Sequence, residues 1–162
     1  MITEEIIDQT LEKFEDQTID TEKAAIEFAQ RQPGLFSLLT DENEGILSED
    51  EQFFLLYLGV VIFNIVDKVM PGLPTVSVEE IAAVEEVNWG IMDQTAGQPF
   101  NQRLDPFFEN YEEEDLLAFV EDALSSEVEN EDGDLVSLSP EGVEPMFVML
   151  KTAIDVLTKQ ES

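Results

Sequence analysis

Two acidic stretches carry the side chains best spaced for chemistry. In Asp41-Glu42-Asn43-Glu44-Gly45-Ile46-Leu47-Ser48-Glu49-Asp50-Glu51, oxygen-bearing residues alternate, a Gly permits a sharp turn, and a Glu closes the run. A hard cation such as Ca²⁺ is held by oxygen ligands at alternate positions and a closing bidentate carboxylate. Asn130-Glu131-Asp132-Gly133-Asp134 opens in the same way, but Ser139 stands where the closing carboxylate would fall. A plainer account covers the same residues: Asx-rich turns leading into helices, with Ser48 and Glu51 as reciprocal caps. That account needs no metal, so no residue is assigned as a metal ligand.

Asp41, Asn43, Gly45, Leu47 and Glu51 resemble an EF-hand loop lacking one residue before its Gly. The resemblance implies, as an alternative function, a degenerate EF-hand-like cation-binding protein. The missing residue removes one ligand position and shifts the spacing to Glu51.

Other reaction chemistry is largely excluded by residue type. The chain has 38 Asp and Glu, so carboxylate pairs are too common to mark a catalytic site. It has no His and no Cys. That removes Ser–His–Asp triads, thiol nucleophiles, His- or thiolate-held zinc, and the Glu-x-x-His pairs of helical di-iron proteins. No Gly-rich phosphate loop is present, and Arg31 and Arg103 are the only guanidinium groups. We therefore assign no catalytic residue and no cofactor.

The charge balance bears on partners instead. Seven Lys and Arg against 38 acids give a formal net charge of −31. Nucleic acid binding requires cations that displace counterions from phosphates, and anionic lipid surfaces repel the same carboxylates. A basic protein is the partner that fits. The acidic run Glu112, Glu113, Glu114 and Asp115 is the candidate partner-binding patch, although a helix dipole also favours such a run in a solvated first turn.

With 43% apolar residues and eleven Phe, the chain has material for a core, so the charge does not signal disorder. The elements that would position these carboxylates read as helices. Thr3 caps a first one, with Ile7, Leu11 and Phe14 on one face. Asp20 or Thr21 begins a second, with Ala24, Ala25, Phe28 and Ala29 together; Pro33-Gly34 ends it, and a short apolar turn follows. Ser48 to Glu51 matches a capping box and opens a helix to about Val69. That helix is apolar nearly all round from Phe53 to Val66, a 14-residue stretch, whereas a membrane span needs roughly 20. Within it, Asn64 requires a partner if buried.

Ser77 to Glu80 is a second capping box, with Ile81, Val84, Val87 and Ile91 on the inner face of its helix. Trp89 reads as a core residue whose N–H finds an acceptor. Residues 95–105 form the best loop. Asp105-Pro106 restarts a helix, and the Phe100, Phe107, Phe108, Tyr111 cluster belongs to the core. Leu116, Leu117, Phe119, Val120 and Leu124 form another apolar face. Ser139-Pro140 or Glu144-Pro145 starts the last helix.

An ungapped offset of 91 residues places Ala25–Lys68 on Leu116–Lys159, matching Phe28 with Phe119, Asp41 with Asp132 and Leu47-Ser48 with Leu138-Ser139. A duplicated helical hairpin with pseudo-twofold symmetry would account for this, and so would shared composition. The expected fold is all-α: a compact bundle of six or seven helices around a buried apolar central helix (about 49–69). It forms a single helical domain over 1–162, with halves at 1–94 and 105–162. The expected function is a non-enzymatic acidic binding module, alternatively a structural or self-associating protein kept soluble by its charge. The start of the chain shows no basic segment followed by an apolar one, and the lack of Cys suits a reducing cytoplasm.

Overall fold

The computed structural model describes residues 2–40, 47–109, 111–125, 128–129, 135–136 and 140–158. The fold is all-α. Helices α1 (Glu4–Glu15), α2 (Thr21–Arg31), α3 (Pro33–Thr40), α4 (Glu49–Val69), α5 (Val78–Gln94), α8 (Glu114–Ser125) and α9 (Pro140–Thr158) carry it, with four-residue turns α6 (Phe100–Arg103) and α7 (Asp105–Phe108) between α5 and α8. A minimal antiparallel ladder pairs β1 (Val128–Glu129) with β2 (Leu135–Val136).

Local signals fix most helix starts. The Thr3, Asp20, Ser48 and Ser77 side chains accept the N–H groups of Ile6, Lys23, Glu51 and Glu80. At Ser48 the box is reciprocal, because the Glu51 carboxylate accepts the Ser48 N–H at 2.9 Å. Each such cap satisfies amides that the first turn leaves unbonded.

α9 packs against α3, α4, α5 and α8, and α4 packs against α1, α2, α3 and α9. From Gly142 to Leu157, α9 is buried at every position except the partly exposed Glu144. α4 contributes Leu55, Leu58, Val60, Val61, Ile62, Phe63, Ile65 and Val66 to the core, whereas its Phe53 stands exposed. By length and composition alone, α4 would suffice to cross a membrane; half of its most apolar stretch is buried inside the fold. Asn64, half-buried, donates to Val60 O at 2.9 Å. Gly59 lies where a Cβ would collide with Leu39 of α3, so the missing side chain permits that close approach.

Helices from both sides of the 95–105 segment pack on one another: α1 against α8, and α4 and α5 against α9. That segment is itself tied inward, because the buried Arg103 donates to Met92 O at 2.9 Å and pairs with Glu144 of α9. Under the 91-residue offset, α4 and α9 begin at equivalent positions, Glu49 and Pro140, but Ser37 and Leu38 lie in α3 where Val128 and Glu129 form β1. The stretches 41–46 and 130–134, with most of the candidate cation ligands, lie outside the described residues.

One predicted face is corrected. On α5 the buried positions are Ile81, Asn88 and Met92, whereas Val87 is exposed. The helix turns a polar residue inward because α9 presents polar groups there.

Candidate functional site: an acidic groove and a buried polar cluster

The acidic run does not act as one patch. Glu113 is buried, and its carboxylate accepts the Ile2 N–H at 2.7 Å, tying the start of the chain to the foot of α8. Glu112 and Glu114 are exposed, and Asp115 is half-buried. The geometry brings Asp115 together with α1, which it packs beside. A groove of 270 Å³ between these helices is lined by Glu4, Asp8, Asp115 and Asp122, over Ile7, Ala118 and Phe119. No Lys or Arg lines it. Helical spacing explains the arrangement: Glu4 and Asp8 lie one turn apart on α1, and Asp115 and Asp122 two turns apart on α8.

Among the described residues, no three acidic side chains converge on a point where a metal ion could sit. The groove's four carboxylates come two from each helix, over an apolar floor.

A second constellation lies inside the bundle. Lys151 and Asp155, one turn apart on α9, form an ion pair at 2.7 Å with side chains only 6% and 3% exposed. Lys151 also donates to Asn88 Oδ1 (3.3 Å). Asn88 Nδ2 in turn donates to Thr152 Oγ1 (3.1 Å) and Asp155 Oδ2 (3.2 Å). The Tyr111 hydroxyl donates to Asp155 Oδ1 at 2.5 Å. The ammonium lies 4.5 Å from the centre of the Tyr111 ring, an attractive cation–π contact. Burial, and then the Asp155 charge, push the Tyr111 hydroxyl well above its ordinary pKa, so it remains a donor.

Each charge in this cluster has partners, and none of its five side chains lines the grooves described here. It is built to hold α5, α9 and the start of the α8 region in register. Sequence reasoning missed it, although one signal was present: a Lys and an Asp four apart in the mostly apolar stretch from Met146 to Leu157.

Of the other singled-out aromatics, Phe107 lies in the core and Phe108 and Trp89 pack against it, whereas the Phe100 side chain lies outside the described ones. Phe107 is buried and meets Phe147 edge-on at 5.1 Å. Trp89 is half-buried and donates to the Glu85 carboxylate, one turn back, at 3.3 Å. Compared with known proteins, the chain matches no family model, no curated protein and no solved structure.

Proposed function

We propose that this chain is a non-enzymatic binding module whose α1–α8 groove takes a basic segment of another protein. The observation that carries the reading is the lining of that groove: four carboxylates, no cation, and an apolar floor. Lys and Arg side chains suit such a floor because their methylene stems lie along apolar surface while their charged ends reach the carboxylates. The net charge of −31 adds long-range attraction that steers a basic partner inward and repels acidic ones. Of the acidic run, Asp115 contributes directly, with the exposed Glu112 and Glu114 beside it in sequence.

A labelled oligolysine peptide tests the reading. The double variant Asp8→Asn/Asp115→Asn should bind it about three- to tenfold more weakly at low salt, the range expected for two ion pairs at the surface, one exposed and one half-buried. The double variant Glu79→Gln/Glu86→Gln removes the same charge from exposed positions on α5 and should bind nearly as the unmodified protein does. Equal losses in the two variants would reduce the effect to net charge and sink the groove.

A further inference from the structure

A second groove opens between α2 and α4, with a volume of 420 Å³. Ala25, Leu56, Tyr57 and Val60 line it together with Phe53, a residue that is 54% exposed. An aromatic ring left half in water at the edge of an apolar groove is a surface that association would cover. The groove does not end apolar. At Thr21 and Glu22 it meets a depression at the α1–α2 turn that adds Glu15 and Asp20. No Lys or Arg lines either part.

We propose that this groove receives a basic amphipathic helix from a partner protein. An apolar side chain of that helix covers Phe53, and its Lys or Arg residues meet Glu15, Asp20 and Glu22. Charge complementarity selects this occupant. A second copy would bring another −31 against the first, and an anionic lipid surface would be repelled for the same reason. A purely apolar segment would strip water from three carboxylates and offer them nothing in return. An amphipathic helix supplies both parts at once, with anchors at helical spacing on one side and cations flanking them. The inference rests on the basic-partner reading above and adds the patterning of the segment that binds.

Two synthetic peptides of identical Leu and Lys content separate the readings, one with amphipathic helical spacing and one shuffled. The amphipathic peptide should bind the full chain about tenfold or more tightly than the shuffled one, as expected of a central apolar anchor. Phe53→Ala should abolish that gap, whereas Asp8→Asn/Asp115→Asn, in the other groove, should weaken the shuffled peptide and leave binding of the amphipathic one nearly unchanged. Phe53 is exposed, so its replacement leaves the core intact, which circular dichroism verifies. Equal affinity for the two peptides, or a gap that survives Phe53→Ala, overturns the proposal. So does a peptide-free dimer that Phe53→Ala dissociates in sedimentation, or anionic vesicle binding that the same change abolishes. The basic-partner reading fails separately, if the shuffled peptide ignores Asp8→Asn/Asp115→Asn. If neither peptide binds, both readings fall.

Discussion

Lys151 and Asp155 sit almost wholly out of water, where desolvation costs each charge several kcal/mol and only close partners repay it. Here the repayment comes from the pair itself, from Asn88 and from the Tyr111 hydroxyl. Removing one member leaves the other charged and stranded. Lys151→Met should therefore destabilise the fold by about 3–5 kcal/mol in urea unfolding. Adding Asp155→Leu should recover part of that loss instead of deepening it, since the stranded carboxylate is gone. A strictly additive double variant would show that the pair is not coupled. The spacing of Lys151 and Asp155 was legible in the sequence, but their meeting with Asn88 was not. Periodicity put Val87 on the inner face of α5, and only the polar groups across the interface decide for Asn88 instead. Likewise Glu112 to Asp115 read as one patch, because nothing local distinguishes Glu113, which the Ile2 N–H draws inward.

At the scale of elements, signals that act within a few residues were legible, which is why Thr3, Asp20, Ser48 and Ser77 each mark a helix start. The 105–108 restart was visible too, but α7 stops after one turn, and the α1–α8 pairing that builds the acidic groove depends on contacts distant in sequence. A comparable long-range device fastens α2 to the end of α4. Arg31 donates to both oxygens of Asp67, at 2.8 and 2.9 Å, and its guanidinium lies 4.9 Å from the centre of the Phe63 ring. Gln32 then bridges Pro74 O and the Val76 N–H. The Arg31 bond holds the Asp67 carboxyl below its ordinary pKa, helped by the Gly72 and Leu73 amides. A depressed carboxylate contributes stability that is complete above its unfolded value and is lost as pH falls through the folded one. Asp67→Asn should thus lower stability by about 1 kcal/mol at neutral pH, a modest figure for a partly exposed pair. The difference from the unmodified protein should begin to narrow as pH falls below the ordinary Asp value and close only below the depressed folded one. Urea unfolding of both proteins across that range tests this, and a gap that persists in acid would assign the loss to packing.

Across the whole molecule, the few cations are unevenly spent. Arg31, Arg103 and Lys151 are engaged with Asp67, Glu144 and Asp155, so among the described residues only Lys13, Lys23 and Lys68 remain to offset the surface. Two of these are neighbours, since Lys13 holds the Lys68 ammonium below its ordinary pKa. Elsewhere carboxylates press on one another: burial first, then Asp122 and Asp105, raise the pKa of Glu121. Folding compresses this charge, so screening should favour the folded state. Raising NaCl from a few millimolar to about 0.2 M, where the Debye length falls below 10 Å, should lift Tm by several degrees. MgCl₂ and CaCl₂ should do at least as well at equal ionic strength. A Tm indifferent to salt would refute the electrostatic account. Association with a basic partner has the opposite sign, because the same ions screen the attraction that forms the complex. One salt titration should therefore raise the melting temperature of the free protein while weakening its hold on the oligolysine peptide. If the two moved together, the surface charge could not be serving as the attraction that the acidic groove requires.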